Sequence, residues 1–166
     1  MDDKTALVMV MLGHLAVVRD RHAYMEKVVE LCAQATDADR STVWLADHVR
    51  GELRSAVAQR LGTELSIPIG RGLAGHVAAT GETINIPDAY ADPRFDPSFD
   101  RRSGFRTRNI LAVPVWGGDN RTVVGVIQVL NKKAGSFERP DQMLLERIAS
   151  KAAPVMEEAI LAASRR

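Results

Sequence analysis

One cysteine in 166 residues, Cys32, excludes an internal disulfide framework, a cysteine-rich zinc module and a two-cysteine redox centre. A reducing compartment suits such a chain, and a cytoplasmic location is expected. Charge of one sign is also scarce: 22 Lys plus Arg stand against 21 Asp plus Glu, a formal net charge of +1. No overall polyanion-binding character follows, so nucleic acid is not expected as a partner. Long apolar runs are missing too. The longest, Ala6 to Val18, is broken by Gly13 and His14 and is shorter than the roughly 20 residues that span a bilayer. It has no basic leader or cleavage site, so it is expected to belong to the mature fold, with no membrane insertion. What is present, 46% hydrophobic and 26% charged residues, describes one soluble domain.

Periodicity orders the chain. Leu7, Val8, Met11, Leu12 and Leu15, then Tyr24, Val28, Leu31 and Ala35 after the polar break 19–22, predict two helices or one long bent one. Asp37 to Ser41 reads as a turn. Thr42 to Ala46 and Leu53 to Ala58 form a predicted hairpin, and Glu64 to Ile69 a third strand, with Pro68 marking an edge or a strand end. A short helix spans Gly72 to Thr80 with Gly81 as its cap, followed by a strand Thr83 to Ile86. Pro87 to Arg108 is the longest irregular stretch. Strands Ile110 to Trp116 and Val123 to Leu130 are joined by Gly117-Gly118-Asp119-Asn120, and a helix from Pro140 to Ala163 is kinked or loosened at Pro154. The order predicts one α+β domain with a mixed sheet. The amphipathic terminal helices serve either simple core packing or burial against a second copy of the chain.

The string Gly70-Arg71-Gly72-Leu73-Ala74-Gly75 satisfies GxGxxG after a strand and at a helix start. A dinucleotide-binding fold is not expected, because the helix stops after barely two turns and no βαβ unit follows. Two readings stay open: amides at the helix start attract one anion, or the glycines serve close packing. The stretch from Asp92 to Arg108 reads as a lid over a ligand, with Asp100, Ser103 and Thr107 facing inward. Phe95, Phe99 and Phe105 are three of only four phenylalanines, and aromatics on a loop need something to pack on. His14, His22, His48 and His76 have no metal-ligand spacing, so no metal is expected. Cys32 reads as a small buried hydrophobe.

From Ile67 to about Asp141 the chain resembles a GAF domain of the cyclic-nucleotide-binding type, as found in regulatory regions of cyclic-nucleotide phosphodiesterases and bacterial adenylyl cyclases. The resemblance rests on Gly72-Leu73-Ala74-Gly75-His76-Val77, Asn85-Ile86-Pro87-Asp88-Ala89-Tyr90 and Gly104-Phe105-Arg106-Thr107-Arg108-Asn109-Ile110-Leu111. It is completed by the spaced signature Asn131-Lys132, Phe137 and Asp141, where Gln142 replaces a Glu. It implies a central mixed or antiparallel sheet of about six strands, the N- and C-terminal helices on one face and a short helix plus lid loop on the other. It also implies one domain over 1–166, with N-terminal helices in 1–36, sheet and pocket in 42–137 and the C-terminal helix in 138–164. Lys132 and Asp141 are expected to pair and latch the last helix, and the amides of Leu73 and Ala74 to meet a cyclic phosphate. Phe95, Asp96, Asp100, Ser103, Thr107 and Gln128 are expected to face the ligand. Where the phosphodiesterase pattern stacks an aromatic on the base and reads it with Asp, this chain has Ala58 and Gln59, with the stacking-capable guanidinium of Arg60 beyond.

The implied function is a non-catalytic sensor of a cyclic nucleotide, cAMP rather than cGMP, needing no cofactor. It would act as a homodimer through its terminal helices on an output domain in a longer parent chain or partner. The alternative is a dimerisation and signal-transmission module with another small ligand or none. Methionine sulfoxide reduction and bilin attachment, both found in this fold, need pocket cysteines that the chain lacks.

Overall fold

The computed structural model describes residues 2–58 and 65–164, with backbone alone at Ala58 and Ser164. Its elements in chain order are helices α1 (Asp3–Leu15) and α2 (Arg21–Thr36), strands β1 (Ala38–Asp47), β2 (Glu52–Ala58) and β3 (Ser66–Pro68), and helix α3 (Gly72–Thr80). There follow β4 (Ile84–Ile86), a 3-10 turn (Ala89–Ala91), α4 (Ser98–Ser103), β5 (Ile110–Trp116), β6 (Val123–Lys132) and α5 (Arg139–Ser164).

The N-terminal region is two helices because each has its own cap. The Asp2 carboxylate accepts the Thr5 amide at 2.7 Å, and the Asp20 carboxylate accepts that of His22. The predicted turn at 37–41 shrinks to one residue. Asp37 takes the left-handed conformation at φ 52°, its amide closes on Ala33 and Gln34, and β1 begins at the next residue. The third strand is shorter than predicted and lies at the sheet edge with Pro68 at its end, where a missing N–H is tolerated. The long irregular region holds two short helical pieces, and β6 runs two residues further than predicted. Helix α5 continues through the exposed Pro154 as one element. The missing proline N–H leaves the Ser150 carbonyl without its helical donor.

The sheet order is β3-β2-β1-β6-β5-β4, and every neighbouring pair is antiparallel. Alternation sorts the central strands onto two faces. Val43, Leu111, Val113, Ile127 and Val129 pack in one core with α1, α2 and α5, which include Leu12, Val28, Leu145 and Ile148. Trp44, Ala112, Val126, Ile110 and Leu130 point to the other face and pack with Leu73, Ala74 and Val77 of α3. The terminal helices therefore cover one face, while α3 and the loop after β4 cover the other.

The β5–β6 turn is pinned by Asp119, whose carboxylate accepts the Arg121 and Thr122 amides at 2.9 Å and the Thr122 hydroxyl at 2.7 Å. These donors, the Arg121 amide foremost, hold its pKa down to about 2. An unfolded Asp titrates near 3.9, so this stabilisation is complete above about pH 4 and is lost as the pH falls toward 2. Asp119→Asn should accordingly flatten the fall in melting temperature across that window. An unchanged acid profile in the variant rejects the assignment.

Candidate functional site

A cavity of about 380 Å³ opens on the α3 face of the sheet. Its floor is built by strand phase. Thr42, Gln128 and Ala112 are aligned across β1, β6 and β5, and Thr42, Trp44, Ile110, Gln128 and Leu130 line the space. One wall is the start of α3, with Arg71, Gly72, Leu73 and Ala74.

The two readings of the glycine string coexist in this wall. Gly72 sits at φ +70°, which favours glycine, and a Cβ on Gly75 would stand 2.8 Å from the Pro68 carbonyl oxygen. The Gly70 amide donates to the Gly75 carbonyl at 2.8 Å, closing the turn against the helix. Arg71 at the N-cap supplies no side-chain acceptor, so the first-turn amides of α3 have no side-chain cap, and the residues carrying them border the cavity. Close packing thus creates the wall, and its amides offer an anion the positive end of the helix.

The roof is the segment 92–107. Its phenylalanines do pack inward: Phe95 and Phe105 lie against the α3-side core, and Phe95 and Phe99 line the cavity. Asp100, only 6% exposed, accepts the Tyr90 hydroxyl at 2.9 Å and both the amide and hydroxyl of Thr107 at 2.8 Å. The bond to Asp100 raises the pKa of the Tyr90 phenol. Asp92 grips Arg94 through both oxygens, and that guanidinium lowers its pKa. The Arg106 guanidinium lies 4.3 Å from the Tyr90 ring centre, and that of Arg40 lies 3.7 Å from the Phe105 ring centre. Asp96 borders the cavity 3.8 Å from Arg71, and the amide and hydroxyl of Ser98 keep its pKa low.

Of the residues predicted to meet a ligand, Leu73, Ala74, Phe95, Asp96, Asp100, Thr107 and Gln128 all border this one cavity. Asp100 and Thr107 bond to each other, so their first task is to hold the roof. Ser103 is not in the lining: it ends α4, and its hydroxyl accepts the Phe105 amide at 3.3 Å. Gln59, Arg60 and the Ala58 side chain lie outside the described residues. Sequence reasoning missed Trp44, Arg71 and Arg102. The alternation of β1 was the available signal for Trp44.

The signature residues form the joint beneath the roof. Asn131, buried and left-handed at φ 59°, accepts the amides of Arg108 at 2.6 Å and Asn109 at 3.3 Å, and donates to the Arg106 carbonyl at 2.8 Å. Lys132 Nζ reaches both Asp141 oxygens, at 2.7 and 2.6 Å, and Asp141 also accepts the Glu138 amide at 2.8 Å. Phe137 is buried beside them, with Lys132 Nζ 5.9 Å from its ring centre.

A second hollow of about 520 Å³ lies between Trp116, the β5–β6 turn and Glu146 and Glu157 of α5. Its Glu157 already accepts the Gly118 amide at 3.2 Å.

Cys32 lies in the helix-side core, across the sheet from the cavity, and burial pushes its thiol pKa far up. It should stay unreactive toward Ellman's reagent in the native protein and react after denaturation. Rapid native labelling would contradict this placement. Three of the four histidines have separate local partners: His22 faces Glu26, His76 faces Glu82, and His48 Nε2 meets the Val123 carbonyl at 2.7 Å.

A six-stranded antiparallel sheet closed by helices on one face and hollowed under a covering loop on the other defines a cavity-bearing α+β module. The sequence profile of the GAF domain matches residues 20–155, and the chain belongs to that family. It is 32% identical over 141 residues to the probable 3',5'-cyclic phosphodiesterase pde-5 of Caenorhabditis elegans, across 76% of this chain and 19% of that protein. It is also 32% identical over 135 residues to the dual 3',5'-cyclic-AMP and -GMP phosphodiesterase 11A of Takifugu rubripes, across 72% of this chain and 15% of that one. The chain thus spans less than a fifth of the length of these relatives. The fold is shared with the GAF domain of an Acinetobacter phosphoenolpyruvate-protein phosphotransferase (TM-score 0.82, 19% identity, 99% of both chains). It is shared too with free methionine-R-sulfoxide reductase from Neisseria meningitidis (TM-score 0.76, 22% identity, 98% of this chain and 95% of that one). Among the described residues no helix is long and apolar enough to cross a membrane.

Proposed function

We propose that this GAF domain is a non-catalytic sensor that holds a cyclic nucleotide, cAMP in preference to cGMP, in the cavity between sheet, α3 and the 92–107 segment. The observation that carries the reading is the cavity itself. Its volume of about 380 Å³ is within the range of roughly 300–1,000 Å³ usual for small-molecule sites, and it joins aromatic walls to an uncapped helix start. The cyclic phosphate is assigned to the amides of Leu73 and Ala74, with the Arg71 and Arg102 side chains also lining the space. Similarity to two phosphodiesterases supports the ligand class.

The output is assigned to the terminal helices of a homodimer, acting on a further domain or partner. Leu7, Met9 and Val10 of α1 and Leu161 of α5 are exposed apolar residues that a second copy would cover. Asn131 ties down the end of the roof and Lys132 ties down the start of α5, so the cavity and the terminal helix are held by neighbouring residues.

Isothermal titration with cAMP and cGMP, paired with thermal melting, tests the ligand. Saturable heat and a raised melting temperature, larger with cAMP, are expected. Neither heat nor shift with either nucleotide at millimolar concentration would reject it.

A further inference from the structure

Two carboxylates line the cavity, and they are committed differently. Asp100 is buried and spent on Tyr90 and Thr107. Asp96, just before α4, has a 40% exposed side chain. One of its oxygens accepts the Ser98 amide at 3.0 Å, and the other stands 3.8 Å from Nε of Arg71 at the start of α3. Arg102, further along α4, borders the same cavity without a hydrogen bond or ion pair to any described residue. Both arginines act on Asp96: after the Ser98 amide and hydroxyl, their charges help keep its pKa low. One anionic and two cationic side chains thus meet beside the first turn of α3, whose amides have no side-chain cap. An ion pair as open as that of Arg71 and Asp96 adds little to the stability of a fold. A carboxylate in this place instead contends with any anion drawn to the helix start, because it repels that anion and shares its counter-charges.

We propose that Asp96 is a specificity-determining residue whose carboxylate competes with the ligand's phosphate for Arg71 and Arg102, so that binding exchanges one anion for the other at the start of α3. The inference rests on the cyclic-nucleotide reading above and goes beyond it by naming the side chains that read the ligand's charge.

Asp96→Asn keeps an acceptor for the Ser98 amide and removes the charge. It should tighten cAMP binding about three- to tenfold, the effect of one unit charge a few ångströms away near a protein surface. Adenosine, which has no phosphate, should bind the variant and the wild type alike. Arg71→Gln and Arg102→Gln should each weaken cAMP binding by a similar factor and leave adenosine unchanged. In the double variant Arg71→Gln with Arg102→Gln, the gain from Asp96→Asn should largely vanish, because the carboxylate has nothing left to compete for. Higher salt should narrow the difference between the wild type and Asp96→Asn, since these charges are exposed. Isothermal titration reads each of these values, and thermal melting shows that each variant folds. Should the double-arginine variant fail to fold, the cAMP and adenosine titrations of Asp96→Asn still decide. A gain kept in full without the two arginines would mean simple repulsion and overturn the competition. If cAMP binds the wild type but Asp96→Asn gains nothing, or gains equally for adenosine, this inference is overturned while the sensor reading stands. If neither cAMP nor cGMP binds the wild type or Asp96→Asn, both are overturned.

Discussion

Replacing Asp141 with Ala should lower the unfolding free energy by about 3–5 kcal/mol, because it strands a lysine that the fold has taken out of water. The Lys132 and Asp141 side chains are 17% and 6% exposed and meet through both carboxylate oxygens, the shorter contact being 2.6 Å. Asp141 carries a second duty. It accepts the Glu138 amide just before α5, so its loss also uncaps the helix, a change usually worth about 1 kcal/mol. Lys132→Met tests the reverse case, leaving a buried carboxylate with one amide donor. The double change Lys132→Met with Asp141→Leu should cost far less than the two single changes summed, since no charge then stays buried alone. Urea unfolding of the three variants reads these values. Losses below about 1 kcal/mol for both single changes would place the pair with exposed ion pairs, which contribute little.

Asn131→Ala should cost a similar amount by a different route, about 3–5 kcal/mol in all. Three backbone groups lose their partner at once, while the Cβ strain of φ 59°, about 1–2 kcal/mol, is borne by asparagine and alanine alike. Asn131→Gly separates the terms: it removes the strain and retains the hydrogen-bond loss, so it should fall short of the alanine variant by about 1–2 kcal/mol. Hydrogen exchange gives a local readout. The amides of Arg108 and Asn109 should exchange faster in Asn131→Ala well before the sheet opens. Unchanged protection there would show that Asn131 does not hold the roof.

How far the residues foretold this arrangement depended on how local the cause was. Strands β5 and β6 were legible because their apolar runs are set by burial on both faces, and Asp20 and Gly81 punctuate helices within a few residues of chain. Helix α4 was not legible: it has six residues, follows Pro97 and shows no apolar stripe. The bonds of its Asp100 run to Tyr90 and Thr107, up to ten residues away. The same cause hid the surroundings of Ser103, which ends that unseen helix and accepts the amide of the following turn. The Lys132 and Asp141 pairing was read from the spaced signature rather than from physics, since two charges nine residues apart carry no local signal. Trp44 was overlooked because a tryptophan inside a strand reads as core, and only the assembled sheet places it at the cavity.

The adjacency of Asn131 and Lys132 sets a tolerance on the length of the chain. One peptide unit, about 3.8 Å between Cα atoms, separates the anchor of the roof from the anchor of the final helix. A gap that short has no slack to absorb an extra residue. A single insertion between the two would displace one anchor by a full residue step, so that only one of the two ties could keep its register with the strands. Length changes should therefore be better tolerated in the exposed β5–β6 turn, where the Gly118 amide reaches Glu157 of α5 but neither anchor lies, and rejected at this point of the chain.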